Sequence, residues 1–169
     1  MDSMFSLIGF FALLGAFVLL VKLAIIDFKT MLLPNKYVFP FAGLAIVFHA
    51  TTQFILLSPL MVVLGGALGY GLLWTIRFFG NKVYKTESLG LGDVKLLGAA
   101  GLWFGVSGVT VAMTLGAAAG LVHGLIVAYL HSRQTGEFNV RRLKIPAGPG
   151  FIIGIVIVMF MDVFPLFLR

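Results

Sequence analysis

The chain has no cysteine and little charge, and these two shortages limit what kind of protein it is. Without cysteine there is no disulfide, no thiol nucleophile and no cysteine-ligated zinc site. No pair of its three histidines has the spacing of a zinc site. Only 11% of the 169 residues are charged and 60% are hydrophobic, which differs strongly from a soluble globular domain. The composition therefore favours a protein embedded in a membrane.

Charge is absent altogether from four long runs of the sequence, and these runs predict the fold. Residues 3–21, 37–76, 96–132 and 145–161 contain no Asp, Glu, Lys or Arg. A helix needs about 20 apolar residues to cross a bilayer, so each of the two middle runs is long enough for two crossings. Ser58-Pro59 and residues 104–108 interrupt them. We predict an all-α integral membrane protein, a single domain over residues 1–169, with six transmembrane helices over 4–26, 38–57, 60–79, 94–106, 109–131 and 148–167.

The basic residues predict how this bundle is oriented. Every Lys and Arg except Arg169 lies in, or within about one helical turn and a half of, the first, third or fifth predicted connection. Because positively charged loops stay in the cytoplasm, these connections are expected to be cytoplasmic and both termini extracytoplasmic. Topology and anionic lipid account for the net charge of +6. Membrane lipid is therefore an expected partner, and nucleic acid is not.

Glycine recurs at intervals of four residues within the predicted spans. This small-residue pattern allows membrane helices to approach closely. We therefore predict tight helix packing, which would also help to bring the first and fourth spans together. The repeats are Gly65 and Gly69, Gly101 and Gly105, Gly116, Gly120 and Gly124, and Gly150 and Gly154.

Two aspartates, Asp27 and Asp93, lie where apolar runs meet basic clusters. Carboxylates at membrane depth are costly and usually functional. Pairing with interfacial lysines would explain Asp27 alone, and helix capping would explain Asp93 alone. However, Asp93 follows Gly90 and Gly92, which allow a sharp bend and a close approach by an extended substrate. Two carboxylates at matching depth predict a catalytic pair.

Three motifs, in order along the chain, resemble those of the type IV prepilin peptidase family, which are intramembrane aspartic proteases of the GxGD class. Asp27 and residues 33–35 (Leu-Pro-Asn) are similar to the first catalytic Asp and the Leu-Pro-Asp/Asn element of the family. Residues 90–95 (Gly-Leu-Gly-Asp-Val-Lys) resemble the GxGDxK element. Residues 145–150 (Ile-Pro-Ala-Gly-Pro-Gly) resemble its Ile-Pro-Phe-Gly-Pro segment, with alanine in place of phenylalanine. The resemblance covers nearly the whole chain.

The resemblance implies that Asp27 and Asp93 activate water to hydrolyse a peptide bond, with no metal or organic cofactor. The implied substrates are type IV pilin-like precursors, cut after a short basic leader at the cytoplasmic face of a prokaryotic cytoplasmic membrane. Helix dipoles suggest that Asp93, at a helix start, is the base and Asp27, at a helix end, the acid. Substrate-binding or site-shaping roles are implied for Pro34, Asn35, Gly90, Gly92, Lys95, Pro146, Gly148 and Pro149.

Larger members of the family carry an N-terminal segment with paired cysteines that is associated with methylation of the pilin. This chain resembles the minimal form that serves Flp or tight-adherence pili, so methyl transfer is not expected. An archaeal preflagellin-type peptidase would use the same chemistry. Two alternatives come from other classes: a small proton or cation transporter using the two aspartates, and a noncatalytic assembly scaffold. Neither explains the glycine turn and the Ile-Pro-Ala-Gly-Pro-Gly segment together.

Overall fold

A computed structural model describes residues 3–85, 87, 89–135 and 147–167, and the regular structure in these ranges is helical throughout. This confirms the all-α prediction. The elements are α1 (Ser3–Thr30), α2 (Asn35–Thr51), α3 (Pro59–Tyr84), α4 (Leu91–Thr135) and α5 (Gly148–Val158). Helix α5 continues through a π-helical turn (Met159–Val163) and a 3-10 turn (Phe164–Phe167).

The structure does not support the predicted count of six transmembrane helices. Within the described ranges, four helical stretches are long and apolar enough to cross a membrane: Leu7–Thr30, Pro59–Tyr84, Leu91–Arg133 and Gly148–Phe167. Helix α2 has 17 residues and is about 26 Å long, a little short of the usual hydrocarbon thickness. The predicted fourth and fifth spans fall in two helices that follow each other within α4 without a loop between them.

Helix α4 nevertheless bends sharply at Gly105, inside the predicted interruption. Gly105 has φ 66° and ψ −165°, a backbone conformation that favours glycine. The segments on either side of it both approach one residue of α3, since a side chain at Gly69 would meet both Leu97 and Val109. Residues 97 and 109 would be about 18 Å apart in a straight helix. The chain therefore turns back at Gly105, and both arms of α4 pack against α3.

Glycine permits the closest contacts between these helices, as the repeats predicted. A Cβ atom on Gly101 would overlap the backbone of Gly65 across the α3–α4 contact. Across the α4–α5 contact, a Cβ on Gly150 would lie 2.7 Å from the Gly116 carbonyl oxygen. The packing role is confirmed for these pairs. They join α3 to α4 and α4 to α5, however, and not α1 to α4.

Aromatic and polar contacts join α2 to the first arm of α4. Trp103 Nε1 donates to the carbonyl oxygen of Phe41 at 3.0 Å, and the two rings stack with centroids 5.8 Å apart. His49, fully buried, has its Nε2 3.0 Å from the Leu102 carbonyl oxygen and 3.3 Å from that of Trp103. It therefore lies inside the bundle, against carbonyls next to the bend of α4.

Candidate active site

Asp27 lies in the last turn of α1 and is only 4% exposed. Helix α1 ends three residues later, where Met31 takes a positive φ of 53° while its N–H still bonds to the Asp27 carbonyl oxygen at 2.8 Å. The first residue of α5, Gly148, lies against the Asp27 carboxyl: a Cβ on Gly148 would be 2.8 Å from Asp27 Cγ. A side chain at position 148 would therefore have to displace the Asp27 carboxyl.

Asp93 lies in the first turn of α4 and is 7% exposed. The residues before it fold closely around it, since a Cβ on Gly90 would lie 2.9 Å from Asp93 Oδ2. A Cβ on Gly92 would lie 2.7 Å from Cβ of Leu33, in the α1–α2 connection. Gly90 therefore allows the Asp93 carboxyl to fold back over the turn, and Gly92 allows the turn to touch Leu33.

Leu33 links the two halves of the site. It is 8% exposed and lies against Gly92 on one side and Gly148 on the other. Through these contacts the end of α1, which carries Asp27, and the start of α4, which carries Asp93, pack around the same side chain. The structure thus brings together the two predicted catalytic residues.

Each aspartate also has one buried oxygen without a hydrogen-bond partner among the described residues, Asp27 Oδ2 and Asp93 Oδ1. Buried carboxyl oxygens are nearly always hydrogen-bonded, because desolvation without a partner is costly. Two such oxygens in one site can be satisfied by a proton shared between the carboxyls, by water or by a substrate amide. The arrangement is therefore suited to acid–base chemistry on a bound polar group.

Lys95 and Asn35, both predicted to shape the site, are in direct contact. Lys95 Nζ donates to Asn35 Oδ1 at 3.0 Å. Asn35 is the first residue of α2, and Pro34 before it takes the extended conformation of a helix N-cap. The bond therefore ties the start of α2 to the start of α4, two residues beyond Asp93. Lys95 contacts Asn35 here, and not either aspartate.

The third motif is only partly described. Gly148 and Pro149 begin α5, where both are buried, and Gly148 touches Asp27 as stated above. Pro146 lies outside the described residues. Within the described ranges, no group of three or more His, Cys, Asp or Glu side chains converges to hold a metal ion.

Two residues that contact the aspartate-bearing elements had no role predicted from the sequence. Leu33 belongs to a quoted motif, but nothing in its pattern indicates that it lies between the aspartate-bearing elements. Arg77 in α3 donates Nη1 to the Leu89 carbonyl oxygen and Nη2 to Glu87 Oε1 at 2.9 Å, immediately before the glycine turn. Its charge had been attributed to membrane topology alone.

Comparison with known proteins identifies a family and several relatives of this chain. The family model described as "Type IV leader peptidase family" matches residues 6–125. A prepilin leader peptidase/N-methyltransferase of Escherichia coli is 35% identical over 122 residues, 72% of this chain and 53% of that protein. One from Pectobacterium carotovorum is 33% identical over 158 residues (92% and 54%), and one from Xanthomonas campestris 32% over 149 residues (86% and 49%). No solved structure matches the chain.

The chain spans about half the length of these curated relatives. The family match alone covers more than half of the chain and includes both aspartates. Bacterial relatives and four apolar helices together indicate a multi-pass protein of a bacterial membrane. The chain belongs to the type IV leader peptidase family.

Proposed function

We propose that this protein is an intramembrane aspartic endopeptidase that removes the short basic leader from type IV pilin-like precursors. The observation that carries the proposal is the buried pair Asp27 and Asp93, each with one carboxyl oxygen unpartnered among the described residues. The names of the relatives, prepilin leader peptidase/N-methyltransferase, support the substrate class.

The chemistry follows from two carboxyls that share one proton. The ionised carboxylate removes a proton from water as the water oxygen attacks the scissile carbonyl carbon, and the protonated carboxyl donates its proton to the carbonyl oxygen. The resulting tetrahedral gem-diol collapses when the carbon–nitrogen bond breaks. The nitrogen takes the proton that the base had removed, one diol hydroxyl returns its proton to the other carboxylate, and the pair regains its starting state.

We assign the base to Asp93 and the acid to Asp27. Asp93 is in the first turn of α4, where the helix dipole favours a negative charge, and Asp27 is in the last turn of α1, where the dipole disfavours one. Neutron diffraction or a proton-resolved spectroscopic measurement of the resting pair is expected to find the proton mainly on Asp27. Finding it mainly on Asp93 would contradict the assignment.

The remaining motif residues are proposed to receive the substrate. The turn containing Gly90 and Gly92 offers backbone groups to an extended peptide, which pairs with them like an added strand. The Lys95–Asn35 hydrogen bond holds the α1–α2 connection, with Pro34, beside this turn. Gly148 and Pro149 close the site over Asp27, and Pro146 of the same motif is proposed to bind the substrate or shape the site.

We further propose that the chain crosses the membrane six times, with Asp27 and Asp93 at the cytoplasmic face and both termini outside. The candidate span in α4 has 43 residues, about 65 Å of helix, which is twice the hydrocarbon thickness and bends near its first third. Each arm of α4 would then be one crossing, and both α2 and the first arm of α4, residues 91–104, would be short ones. Basic residues at the α1–α2 and α3–α4 connections support this orientation.

Within residues 1–169 we assign peptidase activity alone. The relatives are named as methyltransferases as well, but the paired cysteines associated with that activity have no counterpart in this cysteine-free chain. Incubation of the cleaved product with this protein and a methyl donor is expected to leave the mass of the product unchanged. Addition of a methyl group to the new N-terminus would contradict this assignment.

The decisive experiment is mass spectrometry of pilin precursors incubated with the purified protein in native-like lipid. We expect one cut before the hydrophobic segment, lost in Asp27→Asn and Asp93→Asn by a factor of about 10²–10⁴. The matched control is Asp162→Asn, an exposed carboxylate in the π-helical turn after α5, which should cleave like the wild type. Intact precursors together with ion flux that depends on both aspartates would favour the transporter alternative. Cleavage of archaeal preflagellins alone would favour the archaeal type.

A further inference from the structure

The connection between α3 and α4 carries the glycine turn and ends at Asp93, so its position determines where that carboxyl lies. It runs from Lys85, which takes a left-handed conformation with φ 54° after α3, to Leu91 at the start of α4. The Asp93 side chain folds back onto Gly90, and the Gly90 carbonyl accepts the Val94 N–H at 3.5 Å. A displacement of Gly90 would therefore move the carboxyl of Asp93.

The side chain of Arg77 reaches this connection from α3. Its Nη1 donates to the carbonyl oxygen of Leu89, the residue before Gly90, and its Nη2 donates to Glu87 Oε1 at 2.9 Å. The guanidinium thus binds two acceptors of the connection at once. A planar fork of N–H donors does this readily, whereas a lysine ammonium acts as a point charge.

The two bonds of Arg77 differ in their surroundings. The Arg77 side chain is 18% exposed, whereas that of Glu87 is 81% exposed. An ion pair with so exposed a partner contributes little, because water and salt screen it. The bond to the Leu89 carbonyl is better shielded and holds backbone, so it is the contact that fixes the turn.

The packing of helix α3 holds Arg77 in a fixed position for this contact. It packs against the first arm of α4 through Gly65 and Gly69, which lie against the backbone of Gly101 and Leu97. The packing fixes the distance between α3 and α4, and Arg77 lies two turns beyond Gly69 toward the connection. Its guanidinium therefore has a defined place relative to the start of α4.

We propose that Arg77 is a positioning residue that holds the Leu89–Gly90 backbone and thereby sets the Asp93 carboxyl against Asp27. This inference rests on the proposed peptidase function and deepens it. Arg77 itself touches neither aspartate among the contacts described, so its effect is exerted through the turn.

The test compares Arg77→Gln, Arg77→Lys and the matched control Glu87→Gln in the precursor cleavage assay. Displacement of a catalytic group by about 1 Å can reduce turnover by about 10²-fold. Arg77→Gln is therefore expected to lower kcat by about 10- to 100-fold while KM stays within about twofold. Arg77→Lys is expected to fall between Arg77→Gln and the wild type, and Glu87→Gln to stay within about twofold of the wild type.

A second readout separates local positioning from general damage. In Arg77→Gln, amide hydrogen exchange over residues 89–94 is expected to be about tenfold faster, as for the loss of one charged hydrogen bond. Exchange in the middle of α1 and α5 is expected to be unchanged. Faster exchange throughout the bundle would overturn the proposal, as would wild-type turnover in Arg77→Gln. Full activity in Arg77→Lys would show that charge suffices and would also overturn the positioning role.

The two readouts distinguish failure of this inference from failure of the proposed function. If the wild-type protein cleaves no pilin precursor, the peptidase assignment fails, but exchange in the turn still reports whether Arg77 holds it. If the wild type cleaves and Arg77→Gln leaves both turnover and exchange unchanged, the peptidase assignment stands and the role of Arg77 is refuted.

Discussion

At the scale of single residues, the pairing of two buried carboxyls has a direct consequence for pH dependence. Only the singly protonated pair contains both a base for water and an acid for the scissile carbonyl. As pH falls the pair loses its base, and as pH rises it loses its acid. We therefore expect kcat/KM for precursor cleavage to be bell-shaped against pH.

The measurement is precursor cleavage by the lipid-reconstituted protein across a series of buffers of constant ionic strength. Circular dichroism at the two ends of the range is the control for unfolding. A profile with one limb only, while the protein remains folded at both ends, would mean that a single ionisation governs catalysis. That result would contradict a mechanism that needs both Asp27 and Asp93.

The sequence drew attention to Asp27 and Asp93, which the structure buries in one site, because a carboxylate in an apolar setting is conspicuous. It did not identify Leu33 or Arg77. Leu33 is one of many leucines, and its role comes from touching Gly92 and Gly148, which are far from it in sequence. Arg77 lies in a basic cluster that topology already explains, and only its contacts with Leu89 and Glu87 distinguish it.

The hydrogen bond between Lys95 and Asn35 gives a second prediction at this scale. It joins the starts of α2 and α4, so losing either partner should loosen the site without unfolding the bundle. We expect Lys95→Met and Asn35→Ala each to lower kcat/KM by up to about tenfold. If both substitutions act only by removing this hydrogen bond, kcat/KM of the double variant should be about as low as that of either single variant.

The control for this double-mutant cycle is Lys82→Met, which removes an exposed lysine from the end of α3 without touching Asn35. It should retain wild-type kcat/KM. Additive effects of the Lys95 and Asn35 substitutions would show that the two side chains act independently, and that the observed bond is unimportant for catalysis.

At the scale of helices, glycine determines how closely α3 and α4 approach. A Cβ on Gly101 would overlap the backbone of Gly65, whereas one on Gly71 of α3 would meet nothing within 4 Å. Backbone atoms cannot move aside as a flexible side chain can, so the helices must separate. Gly101→Ala is therefore expected to lower the free energy of unfolding by about 1–3 kcal/mol.

Gly71→Ala is the matched control, since it makes the same chemical change in a helix without the collision. It should be neutral or stabilising by up to about 1 kcal/mol, because alanine is the better helix former. The comparison is made by denaturant titration in mixed micelles. Equal stability of the two variants would show that the α3–α4 contact tolerates an added methyl group.

Helix boundaries show where sequence reasoning succeeds and where it stops. The interruption predicted over 104–108 corresponds to the bend at Gly105, because glycines and a polar residue cluster there. The sequence did not indicate that the second helix would begin directly after Gly105, with no loop between the two helices of α4. Nor could the glycine repeats specify partners: the same pattern was expected to draw the first and fourth spans together, but it joins α3, α4 and α5.

At the scale of the whole molecule, both aspartate-bearing ends lie on the side where the basic residues gather. Asp27, Asp93 and the start of α5 meet there, while α2 carries the chain away to the α2–α3 connection. Composition alone could predict a membrane protein, because the scarcity of charged residues is visible without any knowledge of the tertiary structure. Which face is cytoplasmic rests on the charge rule alone, so it requires its own measurement.

The absence of cysteine makes that measurement simple, since a single introduced thiol has no background. Three single-cysteine variants are made at exposed positions: Leu32→Cys in the α1–α2 connection, Ile55→Cys in the α2–α3 connection and Lys85→Cys after α3. With six crossings, a membrane-impermeant maleimide added to intact spheroplasts should label only Ile55→Cys. The other two should react only after permeabilisation.

If Leu32→Cys and Ile55→Cys react from the same side, α2 does not cross, and the six-crossing topology is refuted. If both Leu32→Cys and Lys85→Cys react from outside, the site faces away from the cytoplasm, where a newly made precursor would present its leader.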